Sequence, residues 1–185
     1  TPKPSSAASD VYKRQGIKIG EQAFRGFLMS LFFQVFVHSC CIENFEHYFE
    51  IIYAAFARKD HWHVFDDVID SGVLEKLKKS SVTLGVVSNW DSRLHTILKS
   101  TGLAEYFDFI LASAEVGSAK PDKKIFIEAI RRSGVNPTEV CHIGDDLRAD
   151  IQGAKSVGIE AILIDRNNKH KKNSLTTVSS FQELL

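Results

Sequence analysis

His142-Ile143-Gly144-Asp145-Asp146-Leu147-Arg148-Ala149-Asp150 places three carboxylates within six residues, directly after a short apolar run from Val140 to Ile143. A helix-patterned segment follows from Ile151 to Val157 and is closed by Gly158. That order reads as a buried strand whose C-terminal end opens onto a helix. Carboxylates crowded at such a place repel one another. The cluster is tolerable only if a cation, a helix cap or a cationic side chain neutralises it. In the capping account Asp146 caps the helix and Asp150 sits in its first turn, favourable to the helix dipole. On this stretch alone both accounts stay open.

Two further stretches bear on the choice. Leu84-Gly85-Val86-Val87-Ser88-Asn89-Trp90-Asp91 is a β-branched run ending in a hydroxyl and an amide. A hydroxyl and exposed backbone N–H groups where a strand meets a helix suit a phosphoryl group or another anion. The local alternative is that Asn89 or Asp91 caps a helix from Ser92 to Ser100. Lys120-Pro121-Asp122 comes next, with Pro121 suited to the first turn of a helix running to Arg132 and ending before Gly134. A lone lysine there also reads as solvated surface.

In this order and at these spacings the three stretches resemble motifs II, III and IV of the haloacid dehalogenase-like (HAD) hydrolase superfamily. The resemblance covers about Trp62 to Arg166 and includes Phe107-Asp108-Phe109 and Ser113-Ala114-Glu115-Val116-Gly117. Trp62, Phe65-Asp66-Asp67 and Ser88-Asn89-Trp90-Asp91-Ser92-Arg93-Leu94 resemble subfamily I, whose members carry a helical cap. The resemblance implies a Rossmannoid α/β fold, a parallel sheet with helices on both faces, plus a partial α-helical cap. It casts Ser88 and Asn89 as phosphate-binding, Lys120 as the charge-neutralising and catalytic lysine, and Asp145 as the catalytic-site carboxylate that holds Mg²⁺. Asp146 and Asp150 become supporting groups, Asp146 as helix cap or outer ligand and Asp150 as the partner of Lys120 or part of the acidic wall.

The family's nucleophile lies in an Asp-x-Asp motif at the end of the first strand. No such triplet stands upstream of Gly85, where Asp10 is the only aspartate before Asp60. Residues 1–15, Ser/Ala-rich and then basic, resemble translated adapter sequence. The expectation is a fragment: a non-native head at 1–15, a partial cap at 16–64 and the α/β core at 65–185, with the first strand missing and the chain therefore inactive as it stands.

Composition narrows the partners. The 185 residues hold 23 basic and 23 acidic side chains, which implies neither a nucleic-acid nor an anionic-membrane surface. Phe27 to Val37 is the most apolar run but is interrupted by Ser30 and Gln34, well short of the roughly 20 residues a membrane span needs. Cys40, Cys41 and Cys141 form no disulfide framework, with Cys141 in an expected buried strand, so reduced thiols in a cytoplasmic setting are expected. A targeting peptide lost with the amino terminus stays compatible with that reading.

Gly16 to about His63 reads as helical. Phe24, Phe27, Leu28, Leu31 and Phe32 recur at helical spacing, as do Phe45, Tyr48, Phe49, Ile52 and Phe56, an arrangement typical of helix–helix cores. From Phe65 onward helices alternate with short strands at Val82 to Val87, Phe107 to Leu111, Val140 to Ile143 and Ala161 to Ile164, the sign of a parallel sheet. His61 and His63 flank Trp62, but no further ligands stand at zinc-like spacing. His142 is read as a packed or sheet-edge histidine, and 167–172 as a solvated basic loop.

The activity the resemblance implies is a Mg²⁺-dependent phosphatase acting on a small phosphorylated metabolite through an aspartyl phosphate. The alternatives are a non-catalytic or regulatory member and, ranked behind it, a 2-haloacid dehalogenase. A dehalogenase needs no Mg²⁺ and gains nothing from an acidic cluster beside its own nucleophile, so Gly144-Asp145-Asp146 favours the phosphatase.

Overall fold

The computed structural model describes Glu21, Arg25, Leu28, Met29, residues 44–170 and residues 175–185. Among the described residues every strand pairing is parallel, in keeping with the alternation of helices and strands. Strand β1 (Gly85–Ser88) pairs with β2 (Phe109–Ala112), Gly85 opposite Phe109 and Ser88 opposite Ala112. Strand β3 (Cys141–Gly144) pairs with β4 (Glu160–Ile164), which pairs with β5 (Thr177–Val178). Among the described residues the sheet is thus in two parts, β1-β2 and β3-β4-β5.

Strands β1 and β2 begin later than their apolar runs, for a local reason. Asp108 Oδ2 accepts the Leu84 amide at 2.8 Å, and the Asp108 amide donates to the Leu84 carbonyl. These contacts take the place of ladder bonds, so pairing starts at Gly85 and Phe109 rather than at Val82 and Phe107. Strand β5 is two residues long and leaves no periodic pattern to read.

The helices are α1 (Phe45–Ala55), α2 (Asp66–Ile69), α3 (Val73–Lys79), α4 (Arg93–Ser100), α5 (Ser113–Val116), α6 (Lys123–Ser133) and α7 (Gly153–Lys155). A π-helical turn, Leu147–Gln152, leads into α7. Helix α6 is capped by Asp122, whose side chain accepts the Lys124 amide, and ends at Gly134 with φ +72°. Pro121 therefore stands outside the helix rather than in its first turn, because the aspartate after it takes the capping position.

Ile125 and Phe126 of α6 pack with Ile151, Ala154, Ile159, Ala161 and Leu163 in one apolar cluster that Val87 of β1 also joins. The same core therefore lies beneath both parts of the sheet. Each of the larger of these side chains, the isoleucines, the leucine and the phenylalanine, contributes about 1.5–3 kcal/mol on burial.

Helix α1 follows the aromatic spacing. Phe45 and Phe49 stand 6.2 Å apart and Phe49 and Tyr53 5.5 Å, with Phe49 buried. The predicted helix runs too far, since after Ala55 only the short 3-10 turn Lys59–His61 intervenes before α2. Trp62 there spends its Nε1–H on the Phe56 carbonyl at 2.7 Å. Glu21, Arg25, Leu28 and Met29 are helical; the rest of 16–43, with Phe24, Phe27, Leu31, Phe32, Cys40 and Cys41, and the head 1–15 lie outside the described residues. Cys141 is exposed, contrary to its expected burial: it opens β3, opposite Glu160, before the strand passes under cover. No helix among the described residues is long and apolar enough to cross a membrane.

Candidate active site

Parallel strands deliver their C-terminal ends to one side of a sheet, and the residues that follow β1 and β3 are held together there by one lysine. Asn89, directly after β1, grips the Lys120 backbone: its Oδ1 accepts the Lys120 amide at 2.7 Å and its Nδ2 donates to the Lys120 carbonyl at 3.0 Å. Lys120 Nζ in turn donates to Asp150 Oδ1 at 2.6 Å, with the two side chains only 12% and 5% exposed. The lysine read from sequence as either site or surface is thus a part-buried link between the two halves of the sheet. Asn89 is spent on that link rather than on capping α4. Asp91 takes the capping contact instead, accepting the Arg93 amide at 3.0 Å.

The acidic cluster divides its work. Asp146 Oδ1 accepts the amides of Arg148 and Ala149 at 2.9 and 2.7 Å, so the capping account holds for it. Asp150 does not stay in the first turn as a solvated charge. It turns back, and its Oδ2 accepts the Asp146 amide at 3.0 Å while Oδ1 meets Lys120 and, at 3.0 Å, His142 Nε2. Burial pushes the Asp150 carboxyl up, but the His142 hydrogen bond and the Lys120 ammonium more than offset it and hold the group well below the usual carboxylate range. Asp145 is exposed at the mouth of β3. Ser88 ends β1.

Gly144 makes this packing possible. A Cβ there would stand 2.2 Å from Asp150 Cγ and 2.4 Å from its Cβ. The carboxylate occupies the space a side chain would fill. His142, two residues back along β3, projects from the same face of the strand and packs edge-on against Phe126, ring centroids 5.3 Å apart. It is packed, as read from sequence, and also bonded to the site. The strand's period of two, with glycine at one position, was the available signal.

A second cluster joins α1 to the β1–α4 turn. Asp91 is fully buried and receives Arg93 Nε at 2.8 Å and Nη2 at 2.5 Å, while Arg93 Nη1 donates to the Tyr53 carbonyl at 2.6 Å. The guanidinium lies 3.4 Å from the centre of the Tyr53 ring. Burial and the Asp91 charge push the Tyr53 phenol up to about 12. Trp62 and Trp90 meet edge-on at 5.4 Å beside it. The resemblance pointed to Asp91 and Arg93 only as motif letters.

Among the described residues no group of three or more His, Cys, Asp or Glu stands together to hold a metal ion. Asp146 is committed to the helix and Asp150 to the lysine, and Asp145 stands exposed at the end of β3. Mg²⁺ is ordinarily held by one or two carboxylates together with water and phosphate oxygens, which the exposed Asp145 carboxylate fits.

Residues 13–164 match the family described as haloacid dehalogenase-like hydrolase. The mouse haloacid dehalogenase-like hydrolase domain-containing protein 3 is 40% identical over 113 residues, 61% of this chain and 44% of that protein. Pyrimidine 5'-nucleotidase YjjG of Escherichia coli is 35% identical over 112 residues, 57% of this chain and 49% of that protein. The chain thus spans about half the length of these relatives. A HAD phosphatase from Thermococcus onnurineus superposes with a TM-score of 0.66 at 29% identity, covering 96% of this chain and 84% of that one. A 2-haloacid dehalogenase from Pseudomonas syringae gives 0.68 at 26%, covering 99% and 80%. With a family match over most of its length and the lysine-linked strand mouths just described, this chain belongs to the haloacid dehalogenase-like hydrolases.

Proposed function

We propose that the full-length protein is a Mg²⁺-dependent phosphatase acting on a small phosphorylated metabolite. The observation that carries the reading is Lys120, tied through Asn89 to the end of β1 and through Asp150 to the end of β3. A lysine so held is a fixed cation on the side of the sheet where β1 ends in Ser88 and β3 leads into Asp145, and a hydroxyl, a cation and a carboxylate are the polar set a phosphoryl group needs. Ser88 and the amide groups near Asn89 would bind the phosphoryl oxygens. Lys120 would balance the charge of the transferring group as a point cation. Asp145 would serve as one Mg²⁺ ligand, with carboxylates from outside the described residues. When bound, that ion offsets repulsion between carboxylate and phosphate.

The nucleophile of this reading is an aspartate outside the 185 residues. Its oxygen bonds to phosphorus as the ester oxygen leaves, and water then cleaves the aspartyl phosphate to release phosphate. The 185-residue chain on its own is accordingly expected to be inactive. We read α1 as part of a helical cap, and a cytoplasmic location belongs to the same proposal. The nucleotidase and the phosphatase among the relatives support phosphate-ester chemistry; the dehalogenase keeps 2-haloacid hydrolysis as the second reading.

The test is turnover of a panel of phosphate esters and 2-haloacids by the full-length protein, with and without Mg²⁺. Phosphate release that requires Mg²⁺ and is abolished in Asp145→Asn is expected. Metal-independent halide release would replace the proposal with the dehalogenase. Lys120→Ala is expected to slow turnover about a hundredfold; a change under about threefold would return the lysine to a surface role.

A further inference from the structure

We propose that His142 is a positioning residue for Lys120, acting through Asp150. Three donors surround the Asp150 carboxylate. Asp150 is 4% exposed. Its Oδ2 is occupied by the Asp146 amide, and its Oδ1 is shared between Lys120 Nζ at 2.6 Å and His142 Nε2 at 3.0 Å. An ionised carboxylate only accepts, so His142 presents Nε2 as a donor.

This bond does what the other two cannot. The Asp146 amide fixes Oδ2 from the helix side, leaving the carboxylate able to rotate about that contact. His142, fixed by its strand and by the edge-on contact with Phe126, blocks that rotation and keeps Oδ1 facing the lysine. The ammonium, on a four-carbon stem with several rotamers, takes its direction from that oxygen. The missing side chain at Gly144 leaves the space that the Asp150 carboxylate fills. A histidine placed only to fill the core would need no such partner, and an apolar ring would pack on Phe126 as well.

The inference rests on the phosphate-site reading for its consequence, since a misdirected Lys120 would bind the phosphoryl group less well. Its test does not depend on turnover. In the full-length protein with ¹³Cε-lysine, the Lys120 resonance is assigned by its loss in Lys120→Arg and compared in His142→Phe and His142→Gln. The phenylalanine keeps the ring on Phe126 and removes the donor; the glutamine keeps a donor of similar reach. The Lys120 resonance is expected to move and broaden in His142→Phe and to return towards its original position in His142→Gln. Inorganic phosphate affinity should fall roughly 2–12-fold in the first variant and recover in the second, the range that follows from one lost hydrogen bond.

An unmoved Lys120 resonance in His142→Phe would overturn the positioning role. Wild-type protein that fails to bind phosphate while Lys120 still responds would overturn the phosphate-site reading and leave the positioning role standing. The ¹⁵N shifts of His142 in the unmodified protein supply a check that needs no variant: a neutral ring carrying its proton on Nδ1 alone would also overturn the proposal.

Discussion

At the scale of single residues, the site depends on a position with no side chain. Gly144→Ala would bring a methyl group within 2.2 Å of the Asp150 carboxyl carbon. The carboxylate must then shift and loosen its hold on Lys120. Overpacking of this kind costs about 1–3 kcal/mol, so the expected result is a lower denaturation midpoint together with weaker phosphate binding. Unchanged values of both would show that Asp150 yields at no cost. The same carboxylate sets an acid limit. Asp150 titrates below the usual range when folded and at the ordinary value of about 4 when unfolded. Its contribution is therefore fully present above about pH 4 and is lost as pH falls through the folded value. Asp150→Asn should flatten the decline of stability below pH 4 in denaturant titrations, and an unaltered acid limb would count against the pairing. What sequence conveyed here follows from distance along the chain. Asp146 caps amides two and three residues away, a contact readable from residue type and order. The Lys120–Asp150 pair spans 30 positions, and only the family resemblance suggested it. Neither source suggested the histidine between them, because a lone His in a strand is compatible with simple packing.

At the scale of elements, helices were more legible than the junctions between them. Helix α6 announces itself by Pro121 at its start and Gly134 at its close, although the cap proves to be Asp122, one residue after the proline. The start of β1 is hidden because Asp108, more than twenty residues on, takes over its first hydrogen bonds. The junction between α1 and the β1–α4 turn is likewise a side-chain structure: Arg93 fills the space between Asp91 and Tyr53. Removing Arg93 would leave a fully buried aspartate without its counter-charge, a loss of about 3–5 kcal/mol. Arg93→Ala is accordingly expected to be strongly destabilising in chemical denaturation. Arg93→Lys should recover only part of the loss, because an ammonium cannot reproduce the two-pronged contact with Asp91 or the stacking on Tyr53. Full recovery by lysine would mean that charge alone matters at this junction.

At the scale of the whole molecule, one core serves a sheet whose hydrogen bonding is interrupted. Val87 of β1 packs into the cluster built from α6, β4 and the helical turn after β3, yet among the described residues β1 bonds only to β2, and β3 only to β4 and not to β1. Each of β1 and β3 therefore has one edge without a partner among those residues. Unpaired strand edges next to apolar surface are templates for another chain. Each backbone group left unpaired and buried costs roughly 1–3 kcal/mol, against a total stability of about 5–15 kcal/mol for an ordinary domain. The 185-residue chain expressed alone is therefore expected to self-associate or to stay molten, with concentration-dependent light scattering, dye binding to exposed apolar surface and a broad thermal transition. A strand supplied between β1 and β3 should abolish all three signs together. A monomeric 185-residue chain that melts sharply and cooperatively would show instead that the two halves of the sheet are stable without one.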